Sequence, residues 1–235
     1  MLICENLSLR VNDFHIAAET LALPPDVYAV LGPSGAGKST LLSAIAGFLK
    51  PASGRILWNN MDITHLSPAQ RPVGILFQDN NLFPHLTIHR NLALALTHKA
   101  RITPDQGRAI GQALDRVGLT DLAQRKPADL SGGQQSRAAL ARVLLQNRPI
   151  LALDEPFSAL GPALKSEMLE LVREIAQDNG TLVLMVTHDP SDAKQIAPQS
   201  ILVADHVIHA PQRTHTMFEH PPEALARYLG RVTPS

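Results

Sequence analysis

Residues 32–40 read Gly32-Pro33-Ser34-Gly35-Ala36-Gly37-Lys38-Ser39-Thr40. The stretch fits the spacing G-x-x-x-x-G-K-[ST], in which glycines let backbone N–H groups curl inward around phosphate oxygens. A short β-rich apolar run, 27–31, precedes it, and an apolar stretch, 41–49, follows. Strand, glycine-rich loop and helix is the order the chemistry needs. The helix starting near Lys38 then points its positive end at the phosphates. Lys38 would reach the outer phosphates and the Ser39 hydroxyl would sit on Mg²⁺. A glycine-rich turn can match four fixed positions by chance, but the flanking strand and helix argue for a phosphate site. Residues 32–40 therefore predict nucleotide binding, with neither the nucleotide nor its use specified.

Outward from this loop, 7–11 and 14–23 read as strands, 51–54 as a turn, 55–58 as a short strand and 73–77 as a buried one. From 86 to 145 the pattern turns helical, with period-3.6 apolar positions over 91–96, 109–117 and 137–145. Pro149 breaks the chain. A strand is expected over 150–153, an amphipathic helix over 163–176, a strand over 181–186, a short helix over 192–196 and a last strand over 201–203. After Ala210 the chain is rich in Pro and His and too short for another domain. No internal repeat or low-complexity segment stands out.

The chain has 235 residues, 45% of them apolar, which is enough for a substantial core in one large domain or a core with a subdomain. Lys+Arg and Asp+Glu are each 21, so the formal net charge is zero. That balance speaks against a dedicated nucleic-acid binder, which would show a basic excess. Cys4 is the one cysteine, so no intrachain disulfide forms and a reducing compartment is allowed. No apolar run approaches the ~18 residues of a membrane span, and no basic region followed by an apolar stretch opens the chain. The expectation is a soluble protein of the cytoplasm that serves a membrane only by docking.

Ile150-Leu151-Ala152-Leu153-Asp154-Glu155 is an apolar strand ending in two carboxylates. Beside a phosphate loop, such an Asp holds Mg²⁺ and the carboxylate after it polarises the attacking water. Leu130-Ser131-Gly132-Gly133-Gln134 precedes a helix expected over 135–145. By local physics Ser131 is an N-cap, and Gln134 stands at capping-box spacing. Two glycines in a first turn cost about 1 kcal/mol each against Ala, and capping alone gives no reason to carry them. Bare N–H groups at a positive helix end would make a second phosphate site.

These segments together with Val186-Thr187-His188-Asp189 stand in the order and spacing of one family. The chain resembles the nucleotide-binding subunits of ATP-binding-cassette (ABC) transporters over roughly residues 1–230. The resemblance implies an α/β fold: a P-loop NTPase ABC-ATPase core with an N-terminal antiparallel β-subdomain and an inserted α-helical subdomain. The RecA-like core and β-subdomain would take 1–77 and 150–210, the helical subdomain about 79–148, and 211–235 would be a short C-terminal tail. It implies ATP and Mg²⁺ as ligands, held by Gly32, Pro33, Ser34, Gly35, Ala36, Gly37, Lys38, Ser39 and Thr40. Ser39, Gln78 and Asp154 would serve the metal. Glu155 would be the general base, His188 the switch histidine holding the γ-phosphate and the water, and Gln78 the sensor of nucleotide state.

The resemblance further implies a head-to-tail dimer with a second copy, bridged by ATP. Ser131, Gly132, Gly133 and Gln134 of one copy would face the phosphates bound by the other. Transmembrane permease subunits, and through them a periplasmic substrate-binding protein, would be partners at the cytoplasmic face of a bacterial inner membrane. Residues 78–87, 51–54 and 70–73 look like those of bacterial importer ATPases, most similar to thiamine importers. Iron(III), sulfate, polyamine and sugar importers are the alternatives. The segment 221–230 is similar to the closing segment of short importer ATPases, and the chain stops too soon for a long regulatory β-domain. A DNA-repair or chromosome-organising ABC ATPase is the rival class, disfavoured by the neutral charge and the lack of a heptad run. Two departures from the family pattern stand out. Phe14 is the only aromatic near the place where an adenine-stacking ring is usual, and its apolar strand suggests core instead. Gly161 stands in Ser158-Ala159-Leu160-Gly161 where an Asp is usual.

Overall fold

The computed structural model describes residues 1–97, 99 and 101–230. β1 (Leu2–Val11) and β2 (Phe14–Leu23) form an antiparallel hairpin. β3 (Val27–Leu31) runs through the glycine-rich loop into α1 (Lys38–Ala46). β4 (Ser53–Trp58) and β5 (Met61–Asp62) extend the first hairpin, β4 pairing antiparallel with β1. β6 (Val73–Leu76) is followed by three helices, α2 (Ile88–Ala93), α3 (Pro104–Arg116) and α4 (Gly132–Leu144). β7 (Ile150–Asp154), α5 (Pro162–Asn179), β8 (Leu182–Val186), α6 (Pro190–Ile196) and β9 (Gln199–Ala204) then alternate. β10 (Val207–Ile208), β11 (Gln212–Arg213), α7 (Thr214–Glu219) and α8 (Glu223–Tyr228) follow.

The strands join in the order β5-β4-β1-β2-β10-β9-β3-β8-β7-β6, with β11 added on β9. The half β9-β3-β8-β7-β6 is parallel. Its strands are buried on both faces and alternate between two cores. On β3, Val27, Ala29 and Leu31 point into one and Tyr28 and Val30 into the other. That is why these strands read as unbroken apolar runs. One core seats α1, through Leu41, Leu42 and Ile45, between the parallel strands and the β1–β2–β4 sheet. The other packs α5, α6 and the 88–144 helices against the opposite face.

The antiparallel hairpins turn tightly where asparagine accepts the left-handed region. Asn59 and Asn60 both have positive φ (48° and 66°) between the paired Trp58 and Met61. That is the geometry two-residue hairpin loops favour.

Three expectations need adjustment. The helix read from 109 begins at Pro104, because Thr103 and Gln106 form a capping box ahead of the first buried apolar residue, Ile110. The helix read from 135 begins at Gly132. The stretch after Ala210, read as a short tail, carries α7 and α8 over its described part, and Met217, Phe218 and Leu225 are buried in the same core as α5 and α6. Residues 231–235 of that stretch lie outside the described residues.

Arg71 is the largest fully buried side chain. Its guanidinium donates to the carbonyls of Ala44, Ile45, Thr64 and Leu66 at 2.7–3.2 Å. It thereby satisfies acceptors left open where α1 ends at Gly47, in the left-handed region. The helix behind the phosphate loop is thus tied at its far end to the 64–71 segment.

Candidate nucleotide site

The carboxyl ends of the parallel strands, where open α/β sheets place ligands, gather most of the chemistry. The Gly32–Thr40 loop leaves β3, Asp154 ends β7, Thr187 and His188 leave β8, and Gln78 leaves β6. The register sets their levels: Leu76 pairs with Leu153, and Asp154 with Val186. Gln78 follows the end of β6 by two residues at the same sheet end, and its side chain is exposed.

Close packing shapes the phosphate loop. A Cβ on Gly32 would lie 2.0 Å from the Val203 carbonyl oxygen on β9, so only glycine fits there. A Cβ on Gly37 would lie 2.8 Å from Ile16, and φ is 102°. The Ala36 N–H donates to the Pro33 carbonyl, closing a tight turn, while Ser34 and Gly35 remain exposed at its tip. Lys38 is 8% exposed, and its ammonium donates to the carbonyls of Gly32 and Pro33, both at 2.8 Å. The loop thus folds over its own lysine, which holds a cation beneath the phosphate cradle. Burial pushes the Lys38 pKa below its ordinary value, and the carboxylates of Glu155 and Asp154 oppose that shift.

Asp154 is 7% exposed. Burial raises its pKa, opposed by a hydrogen bond with the Ser39 side chain and by Lys38. A serine hydroxyl and a buried carboxylate brought to the same sheet end fit a small hard cation that keeps water and phosphate oxygens as its other ligands. Among the described residues no three His, Cys, Asp or Glu side chains gather as a metal site, so nothing here resembles a cage for a transition metal.

Glu155 sits in the left-handed region at φ 47°, a strained position for a long side chain. The turn that imposes it is held by Glu155 N–H to the Val186 carbonyl and by the Ser158 hydroxyl to the Glu155 carbonyl. The result is a carboxylate aimed at His188, whose Nδ1 lies 3.1 Å from Glu155 Oε2. The segment bearing His188 is fixed on both sides. The Thr187 hydroxyl donates to Asp192, and Lys165 on α5 bridges Asp189 at 2.7 Å and Asp192 at 2.9 Å. The Lys165 and Ser191 bonds hold the Asp189 carboxyl well below the usual range.

Ser131, Gly132, Gly133 and Gln134 stand apart from this group at the start of α4. Ser131 and Gln134 cap one another: the Gln134 N–H donates to Ser131 Oγ and the Ser131 N–H to Gln134 Oε1. Ser131 and Gly132 are exposed. The nearest neighbours of Gly132 and Gly133 are Ala159 and Leu160, in the turn after Glu155. A Cβ on Gly132 would find only ordinary contact, so packing does not demand that glycine.

Several contributors carried no local signal in the sequence. Arg142 on α4 donates to the carbonyls of Asn80 and Asn81, tying the Gln78 turn to the helix that begins with the Ser131 cap. Asn91 is fully buried and bonds Phe83, Leu86 and Thr87, shaping the loop that follows. Phe14, expected in the core, is only half-buried, and its ring edge would meet a Cβ on Gly37 at 3.1 Å. Beside it His206, in the turn after β9, stacks on His15 at 4.8 Å.

A family model described as ABC transporter matches residues 21–158. The thiamine import ATP-binding protein ThiQ of Cereibacter sphaeroides is 56% identical over 98% of this chain and 100% of its own length. The protein of that name from Ruegeria sp. is 54% identical over the same shares. The solved dimeric cassette MJ0796, in a post-hydrolysis state bound to ADP and Pi, matches at TM-score 0.81 and 28% identity. That match covers 91% of this chain and 99% of the cassette. The family match spans more than half of the chain, the relatives match it almost end to end, and its site carries the expected segments: the chain belongs to the ABC transporter family.

Proposed function

We propose that this protein is the ATP-hydrolysing subunit of a bacterial importer of thiamine. The observation that carries the assignment is identity of 54–56% along the full length of two relatives named as thiamine import ATP-binding proteins. The solute is chosen by other subunits, so thiamine rests on that likeness and the ATPase chemistry on the site.

ATP would place its phosphates in the Gly32–Thr40 loop, with Lys38 offsetting their charge at low exposure, where electrostatic stabilisation is strongest. Ser39, Gln78 and Asp154 would hold Mg²⁺, which would supply neutralisation of phosphate charge. Glu155 accepts the proton of the attacking water. The new bond forms between water oxygen and the γ-phosphorus, and the bond to the bridging oxygen of ADP breaks. His188, steadied against Glu155, orients the water and the γ-phosphate.

A γ-phosphate held in this half-site would turn its outer side toward a second copy. Ser131 to Gln134 of that copy would supply donors there, since this turn is exposed and lies away from its own phosphate loop. The dimeric state of MJ0796 supports that arrangement. A cleft of about 510 Å³ beside Ala46, Phe48, Pro72, Ile75 and Leu94 offers a seat for a permease segment. Phe48 at its rim is 58% exposed. Among the described residues no helix is long and apolar enough to cross a membrane. The protein would therefore work from the inner face through permease subunits that receive solute from a periplasmic binding protein.

Uptake of labelled thiamine in a gene knockout tests the reading. Uptake should be lost, restored by the parent gene and not restored by Glu155→Gln. Unchanged uptake in the knockout removes thiamine. Restoration by Glu155→Gln removes hydrolysis at this site as the driving step.

A further inference from the structure

The C-terminal helix reaches the catalytic histidine. The Tyr228 hydroxyl donates to the His188 carbonyl at 2.9 Å across 40 positions of sequence. His188 is otherwise weakly restrained. Its side chain is 60% exposed, and its ring contact is with Glu155 alone among the hydrogen bonds and ion pairs described for it. The ring direction is therefore set by the backbone. On the N-terminal side Thr187 is held through Val30 and Asp192, and on the other side the Asp189 N–H is held by Thr187 Oγ1. The His188 carbonyl lies between these anchors, and the phenol is what holds it.

Tyr228 itself sits on a firm base. Leu225, one turn earlier on α8, is fully buried, and the Tyr228 ring packs on the core shared with α5 and α6. Burial, with Glu155 and Asp189 nearby, pushes the phenol pKa up, so the hydroxyl stays a donor at neutral pH.

The geometry points to Tyr228 as a positioning residue for hydrolysis: its hydroxyl fixes the His188 peptide and so aims the imidazole at Glu155 and the γ-phosphate. Without that bond the peptide between His188 and Asp189 is held only through the Asp189 N–H, and the ring spends less time in line. One neutral hydrogen bond corresponds to a change of about two- to tenfold.

The inference rests on the ATPase reading, and the test separates the two. Tyr228→Phe keeps the ring and its packing and removes only the hydroxyl. Steady-state hydrolysis by the full chain should show kcat lowered about two- to tenfold with the KM for ATP unchanged. Arg227→Gln, which breaks only the exposed pair with Asp205, should match the parent. In single-turnover measurements with radiolabelled ATP, Tyr228→Phe added to His188→Ala should cause no further loss, because the histidine it positions is gone. A parent kcat in Tyr228→Phe overturns the inference, as does an equal loss in the His188→Ala background or a change confined to KM. A parent chain that hydrolyses no ATP, by contrast, defeats the ATPase reading itself.

Discussion

The phosphate loop and the Ser131–Gln134 turn both offer glycines and a helix start to phosphate oxygens, yet the fold treats them in opposite ways. The first is built in. Lys38 is buried against two carbonyls of its own loop, Gly32 is wedged against Val203, and Arg71 anchors the far end of α1. The second is exposed at Ser131 and Gly132 and capped on itself, a reciprocal cap taking the N–H groups of Ser131 and Gln134 and leaving those of Gly132 and Gly133 for a partner. A preorganised site loses little freedom on binding, whereas a self-capped turn has no partner until another surface arrives. On the proposed reading, one copy would hold a nucleotide while the completed site would belong to two.

The largest expected break of this contrast is Glu155→Gln. An amide cannot accept the proton, so kcat should fall by roughly 10²–10⁴ while ATP binding survives. An ATP-bridged dimer should then accumulate with Mg²⁺. Gel filtration beside an ATPase assay checks both, and a monomer hydrolysing at the parent rate removes Glu155 as the base.

Lys38→Ala attacks the preorganised half. It leaves the Gly32 and Pro33 carbonyls without their donor and the phosphates without a fixed cation. ATP affinity should drop about a hundredfold or more, the scale of one or two charged hydrogen bonds. Calorimetric titration measures it, and near-parent affinity in a folded variant ends the phosphate-loop assignment.

Ser131→Ala attacks the self-capped half. Loss of the N-cap should lower stability by about 1 kcal/mol in denaturant unfolding without nucleotide. ATP binding to the isolated chain should not change. Weaker binding by the monomer would mean that the two halves are not separate.

Gly161→Asp carries the smallest effect. Gly161 is the N-cap of α5 at φ −68° and ψ 158°, and a Cβ there meets nothing within 4 Å. An Asp fits without strain and caps the helix, a gain of a few tenths of a kcal/mol over Gly. If the carboxylate also reaches across a dimer, the Hill coefficient for ATP rises. Equal melting temperatures and Hill coefficients would show that the position is silent.

The parts that were legible share one property: their chemistry is contiguous. Glycine spacing around Lys38, the Asp154-Glu155 pair at a strand end and the Ser131 cap are each complete within nine residues or fewer. The start of α3 was legible in principle, since Thr103-Pro104-Asp105-Gln106 is a capping signal. Apolar periodicity, the stronger helix signal, begins only later, near the first buried residue Ile110. The packing of 214–228 was not legible, because Met217, Phe218 and Leu225 belong to two short segments with no sustained apolar periodicity and meet their partners only across the fold.

The sequence by itself marked the segments proposed to handle phosphate, metal and water, because backbone cradles, caps and carboxylate pairs depend on neighbours in the chain. Only the tertiary structure decided what stands beside what. Parallel pairing of β6 with β7 brought the segments that lead to Gln78 and to Glu155 side by side. Arg142 joined the Gln78 turn to the Ser131 helix, and Arg71 secured the end of α1. Tyr228 met His188 forty residues away. Such bonds leave no periodic or spaced trace, since a single polar side chain among many gains its meaning only from the carbonyl that folding places in front of it.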